Sequence, residues 1–132
     1  MKLSITRLSP ALTSFKVNSD SIKSLKGVRA TGCVTLLTDN NISGTEKGEI
    51  QFSDGAISGI CIFNLSCIYN ETKSSELSID FLPDIHYNDL VDILKNIYTS
   101  RSDTSLEDFL SGILHKRIGI YILKSCTDKS LT

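Results

Sequence analysis

The sequence has almost no net charge, and it lacks the clustered positive charge that nucleic-acid-binding proteins carry. It has 14 Lys and Arg residues against 15 Asp and Glu residues, a formal net charge of −1 over 132 residues. The densest basic cluster is only His115-Lys116-Arg117, which is more typical of a helix end than of a phosphate-binding patch. We therefore expect neither a nucleic acid nor a membrane surface as a partner.

Long hydrophobic runs are also missing. The longest apolar stretch, residues 56–69, contains Asn64 and is shorter than the roughly 20 residues that a membrane-spanning helix needs. No charged segment followed by an apolar leader comes after Met1, so nothing suggests export. We expect the chain to lie in the cytoplasm, with its thiols reduced.

The four cysteines lack the spacing of a metal site. They lie at positions 33, 61, 67 and 126, no two of them form a C-x-x-C pair, and His86 and His115 are distant from them in sequence. Zinc and iron–sulfur sites use more closely spaced ligands, so we expect no bound metal. Cys61 and Cys67 lie within an apolar run, which predicts buried thiols.

The motifs of nucleotide-binding and hydrolytic enzymes are absent as well. The sequence has no G-x-G-x-x-G, no Walker loop, no G-x-S-x-G and no H-E-x-x-H. We therefore expect no cofactor-binding residue and no catalytic residue in this chain. Asp80 and Asp84 could form a carboxylate pair and His86 could orient a ligand. A solvated strand end and a helix entry explain these three residues better, because no cleft or perturbed pKa is visible.

The first half of the sequence has the composition of a β-sheet. Residues 11–17 and 28–38 are rich in β-branched residues. From Val28 to Leu36 the even positions are small or apolar and the odd positions mostly polar, which predicts a strand with one buried face. Turn-forming residues at 39–41 and 46–48 enclose a loop, and residues 49–53 then predict the returning strand of an antiparallel hairpin.

The run from Ser53 to Asn70 is open to two interpretations. Apolar residues at helical spacing predict a buried helix, which Ser53 or Asp54 would cap; they are Ile57, Ile60, Cys61, Leu65 and Ile68. A buried pair of strands is the alternative, because the run is also rich in β-branched residues. We favour the helix.

One more strand and then helices follow. Residues 76–82 alternate apolar and polar side chains, which predicts a strand that ends before Pro83. A helical stripe runs from Leu90 to Ile97, and Thr104 and Glu107 have the spacing of a capping box before a second helix. Residues 114–124 predict a third helix, with a frayed end over residues 125–132. The order predicts a single α+β domain, β-rich over about residues 1–82 with one buried helix, and helical over about residues 84–124.

The strongest candidate for a functional site is the group Gly55, Ser58 and Gly59, at the start of the predicted buried helix. Glycines there allow another backbone or a flat ligand to approach closely, and a helix N-terminus offers unpaired N–H groups to an anion or a carbonyl oxygen. The alternative is that the glycines only permit tight packing of the helix on the sheet. The residues alone leave both interpretations open.

Several segments resemble, in one order along the chain, a bacterial family of flavoproteins described as NAD(P)/FAD-dependent oxidoreductases, which includes aminoacetone oxidase and a bile-acid reductase. The main segment is GEIQFSDGAISGICIFNLS, residues 48–66. The others are LSPAL at 8–12, SLKGV at 24–28, DFLPD at 80–84 and HKR at 115–117. The resemblance covers nearly the whole chain.

The resemblance implies that the chain is a barrel-like domain inserted in a larger flavoprotein, from which it is excised. The Rossmann domain that binds FAD would lie in the flanking sequence. This chain would cover the flavin and shape the pocket of a small-molecule substrate, with Gly55, Ser58 and Gly59 facing that pocket, and it would be inactive alone. The alternative is a freestanding cytosolic binding or interaction module, which the absence of a catalytic constellation also fits.

Overall fold

A computed structural model describes residues 3–101, 103 and 105–130. Five strands form one antiparallel sheet in the order β1-β4-β3-β2-β5; they are β1 (Phe15–Lys16), β2 (Arg29–Thr38), β3 (Asn41–Ser53), β4 (Ala56–Ser58) and β5 (Ser75–Asp80). The helices are α1 (Ser19–Ile22), continued by a 3-10 turn (Lys23–Leu25), then α2 (Ile60–Ser66), α3 (Tyr87–Ser100) and α4 (Lys116–Ser130). The sheet curls into half of a barrel, so the predicted α+β class with a barrel-like body is confirmed.

The alternation of side chains in β2 decides which face of the sheet is buried. Val34 and Leu36 are at most 1% exposed, whereas Arg29 and Thr31 on the other face are exposed. Side chains of a strand alternate between its two faces. The predicted buried face of this strand is therefore confirmed.

Strand β3 is longer than the sequence predicted. It begins at Asn41, directly after a two-residue turn in which Asp39 and Asn40 have φ angles of 49° and 65°. Asp and Asn tolerate this left-handed conformation better than most residues, and such a turn matches the twist of paired strands. The prediction of a turn at residues 46–48 is wrong, because these residues pair with residues 32–34 of β2.

The run from Ser53 to Asn70 contains both a strand and a helix. Ala56–Ser58 is strand β4, which pairs with β3 across a two-residue turn that includes Gly55 at φ 68°. The helix α2 begins only at Ile60, so the predicted cap at Ser53 or Asp54 is wrong. Asp54 instead accepts a hydrogen bond from the Lys26 ammonium group at 2.9 Å.

Helix α2 packs on the inner side of the curled sheet. Cys61, Ile62 and Leu65 are at most 2% exposed, and burial of an isoleucine or leucine side chain contributes roughly 1.5–3 kcal/mol. Gly48 of β3 faces this helix, and a Cβ atom there would be in ordinary contact with the Cβ atom of Cys61 at 3.4 Å. The prediction that Cys67 is buried is wrong: this residue ends α2 and is exposed.

The helical portion has two long helices instead of three. Helix α3 follows the predicted stripe, yet none of its residues is buried. Residues 106–110 form turns instead of the second predicted helix, and Thr104 of the predicted capping box lies outside the described residues. These turns pack on α4, since a Cβ atom on Gly119 would lie 3.0 Å from that of Leu110.

Helix α4 starts at Lys116 and extends to Ser130, so the predicted frayed end from residue 125 is wrong as far as residue 130. The basic cluster lies at a helix end, although at the N-terminal one. Arg117 explains this placement, because its Nε and NH1 groups donate to the backbone oxygens of Ser24 and Lys26 at 2.8 and 2.9 Å. These bonds hold the start of α4 against the 3-10 turn.

Candidate functional site

A groove runs between the first turns of α2 and strand β3. We call it the α2–β3 groove; it has a volume of about 380 Å³ and is lined by residues 46–49, Gln51, residues 58–61, Phe63 and Asn64. The side chain of Ile60 is 75% exposed, and Phe63 is half-buried. The groove therefore presents apolar surface to the outside, between polar groups of β3 and α2.

Gly59 gives the groove its shape. Its φ and ψ angles are 123° and 162°, a backbone conformation that only glycine adopts readily. A Cβ atom on Gly59 would overlap the carbonyl oxygen of Glu49. Only glycine therefore allows the chain to leave β4, pass against β3 and enter α2 within one residue.

Several polar groups of the groove are already paired within the protein. Ser58 Oγ donates to the backbone oxygen of Gln51 at 3.4 Å, and Asn64 donates to the Glu46 carboxylate at 3.1 Å. The Cys61 thiol donates to the backbone oxygen of Glu49 at 3.2 Å. Burial raises the pKa of this thiol above its ordinary value, so Cys61 stays protonated at neutral pH and is a poor nucleophile. The arrangement is suited to holding and orienting a ligand more than to proton transfer.

The structure separates the three residues that the sequence grouped. Ser58 ends β4 and Gly59 precedes α2, and both line the α2–β3 groove. Gly55 lies at the other end of β4, where a Cβ atom would be 3.3 Å from that of Ser19 and its backbone oxygen accepts from Val17 at 2.9 Å. Only Gly59 is at the start of the helix.

The carboxylates near residue 80 have structural partners. Asp80 accepts a hydrogen bond from the backbone N–H of Leu82 at 2.8 Å, and Asp84 forms an ion pair with Lys47 at 2.7 Å. His86 precedes α3 without a side-chain capping bond. Within residues 3–101, 103 and 105–130, no group of three or more His, Cys, Asp or Glu side chains could hold a metal ion.

A second concavity was not anticipated from the sequence. The barrel cavity lies inside the curled sheet and has a volume of about 460 Å³. Its lining includes the buried Leu25, Leu36 and Phe52 and the half-buried Leu77 and Ile79 of β5. The alternation predicted for β5 indicated part of this cavity lining, because it placed Leu77 and Ile79 on one face of the strand. The curl that turns this face into a cavity depends on the whole sheet.

None of the helices in the described part of the chain combines the length and the apolar character that crossing a membrane requires.

Comparison with known proteins agrees with this architecture. Residues 9–131 match the family described as HI0933-like protein barrel and H2TH domain. The chain is also similar to the 3-dehydro-bile acid delta(4,6)-reductase of Clostridium scindens, with 27% identity over 114 residues. That alignment covers 83% of this chain and 28% of the reductase, so the chain spans well under a third of the length of this relative. The resemblance to the flavoprotein oxidoreductases is thereby confirmed, and this chain belongs to the HI0933-like family of barrel and H2TH domains.

Proposed function

We propose that this chain is the inserted, substrate-side domain of an FAD-dependent oxidoreductase, whose FAD-binding domain lies elsewhere in the same polypeptide. The observation that carries the proposal is the coverage: the family match extends over residues 9–131, yet the aligned part is only 28% of the related reductase. The reductase therefore has most of its length outside this domain. The present sequence has no dinucleotide-binding glycine loop, so the flavin would be held by that other part.

The α2–β3 groove fits the flat ring of a flavin better than it fits the phosphates of FAD. Ile60 and Phe63 supply apolar surface. The carboxylates of Glu46 and Glu49 on the same groove would repel a pyrophosphate, and the ammonium group of Lys47, which also lines the groove, is already paired with Asp84 at 2.7 Å. Bound FAD would supply hydride transfer, with NAD(P) or the substrate as the other partner. This chain would exclude water from the ring and orient a small-molecule substrate.

Within this proposal Ser58 and Gly59 face the substrate and the flavin. Both are half-buried and line the groove. Gly55 is half-buried in the turn at the other end of β4, and we include it in the same contact surface because it directly precedes this short strand.

The first experiment compares this chain with the complete polypeptide that its gene encodes. The complete polypeptide should purify with bound flavin, visible in its absorption spectrum, and the 132-residue chain should bind no added FAD in equilibrium dialysis. A complete polypeptide without flavin, even after incubation with FAD, would refute the proposal and favour a freestanding binding module.

The second experiment tests the groove in the complete, flavin-containing polypeptide. Ser58→Tyr should raise KM or lower kcat for flavin reduction without changing the flavin content, because the ring of tyrosine would fill part of the groove. Ser78→Tyr is the matched control, since Ser78 is an exposed position of β5 outside the groove. Equal kinetics of the two variants would show that the groove does not face the reaction.

A further inference from the structure

The barrel cavity shares no lining residue with the α2–β3 groove, and it does not depend on a flavin. Protein interiors are close-packed and contain few voids larger than a water molecule. A volume of about 460 Å³ falls in the range of about 300–1,000 Å³ that is common for small-molecule sites. We propose that the barrel cavity binds an uncharged, largely apolar molecule of two or three rings.

The size of this ligand follows from the volume. An engineered apolar cavity of about 150 Å³ binds benzene, and the barrel cavity is about three times as large. A molecule of two or three fused or linked rings therefore fills it, whereas a single ring leaves most of it empty.

The lining of the cavity selects against charge. Its deepest residues are apolar and almost fully buried: Leu25 is 2% exposed, Leu36 1% and Phe52 2%. Charged side chains occur only among the exposed residues that line the cavity, Lys16 and Glu76. Transfer of an ion to the apolar interior costs several kcal/mol or more without a buried partner. The part of a ligand that lies against these residues is therefore uncharged, and a molecule that enters the cavity completely carries no charge.

Two tyrosines supply hydrogen bonds for one polar group of the ligand. Tyr69 and Tyr121 line the cavity and are half-buried. The Tyr69 ring is held edge-to-face by Phe15 at a centroid distance of 5.1 Å. Neither phenol oxygen has a hydrogen-bond partner among the described residues, and neither is buried from solvent, so each is free to pair with water or with a ligand. A carbonyl or hydroxyl group on the ligand would form hydrogen bonds with these phenol groups.

The opening of the cavity suits a small molecule better than a peptide strand. It lies between β1 and β5, the two edge strands of the sheet, and residues of both strands line the cavity. Peptides that bind sheet edges need a row of free backbone groups. Strand β1 has only two residues, too few to hold an added strand on that side, so a peptide could pair only along β5 (Ser75–Asp80) and would not join the two edges.

The test uses 6-propionyl-2-dimethylaminonaphthalene, a neutral two-ring fluorophore with one carbonyl group, titrated with the 132-residue chain. We expect a blue-shifted, saturable signal with one site per chain. The anionic naphthalene probe 1-anilinonaphthalene-8-sulfonate should bind about tenfold or more weakly, since its charge would be desolvated.

A pair of neighbouring substitutions locates the probe. Leu77→Trp adds an indole on the face of β5 that lines the cavity and should weaken binding about tenfold or more. Ser78→Trp adds the same group to the exposed face of the same strand and should leave binding within about twofold, about 0.4 kcal/mol. Tyr121→Phe keeps the volume, and it should weaken binding of this carbonyl probe but not of N-phenyl-1-naphthylamine, which has no carbonyl group.

Three results would overturn the proposal. The first is equal binding by the Leu77→Trp and Ser78→Trp variants, which would place the probe outside the cavity. The second is stronger binding of the anionic probe than of the neutral one. The third is a dimer in sedimentation that excludes the probe and dissociates in Leu77→Trp, which would assign the opening to a second copy of the chain. If Leu77→Trp does not fold, as judged by circular dichroism, the Tyr121→Phe comparison decides alone.

Discussion

Replacement of Gly59 by alanine should destabilise the chain more than any other glycine-to-alanine change at a position with positive φ. The backbone angles of Gly59, 123° and 162°, are nearly restricted to glycine and cost of order 1–3 kcal/mol for another residue. The new methyl group would also overlap the backbone oxygen of Glu49. That oxygen cannot move freely, because Glu49 pairs with Thr31 of β2 and its oxygen accepts from the Cys61 thiol. Overpacking of this kind costs roughly 1–3 kcal/mol more. We expect a loss of about 4 kcal/mol.

The matched control is Gly27→Ala. Gly27 has a φ of 84°, and a Cβ atom there would have no other atom within 4 Å, so this change adds backbone strain without overlap and should cost about 1–2 kcal/mol. Urea unfolding of both variants, followed by far-UV circular dichroism and extrapolated linearly, measures the difference. A Gly59→Ala variant as stable as Gly27→Ala would refute the close approach of α2 to β3 on which the groove depends.

Three further predictions concern other parts of the chain. Arg117→Ala should lower the free energy of unfolding by about 1 kcal/mol, because two hydrogen bonds to backbone oxygens are lost; Arg117→Lys should recover less than half of it in urea unfolding. A thiol reagent should label the exposed Cys67 rapidly and Cys61 only as the protein unfolds, since Cys61 is 2% exposed and its pKa is raised; mass spectrometry would contradict this if both reacted at one rate. Hydrogen bonds from lysines lower the pKa of Asp54 and of Asp108 below the ordinary 3.8. Both carboxylates therefore stabilise the fold above that pH, and the contribution is lost as the pH falls through their lowered pKa. Asp54→Asn and Asp108→Asn should thus make the decrease of the melting temperature at acid pH less steep. An unchanged decrease would count against the two ion pairs.

The elements that the sequence predicted well are those set by a regular pattern. The alternation from Val28 to Leu36 determined the buried face of β2, and the stripe from Leu90 to Ile97 determined α3. Such patterns survive folding because burial of one face is the dominant favourable term. The pattern did not reveal that α3 would bury none of its residues. A periodic stripe predicts that a helix forms, but it does not predict what packs against that helix.

The errors occurred where pairing overrides local preference. Glu46-Lys47-Gly48 has the composition of a turn, but its pairing with β2 makes it part of a strand. Strand β4 has only three residues, which is too short for any periodicity. Ser58 and Gly59 were selected as a candidate site because glycines before a helix allow close approach and leave its first N–H groups unpaired. The barrel cavity was missed, since it arises from the curl of the complete sheet.

The hydrogen bonds of Arg117 also bear on the order in which the chain folds. They join residues that are 93 and 91 positions apart in sequence, so closing that loop costs more entropy than any local contact. The sheet and its 3-10 turn can form from residues before position 81, whereas α4 has only the turns of residues 106–110 to pack on until they do. We infer that docking of α4 is a late step, so its contacts govern how fast the protein unfolds more than how fast it folds.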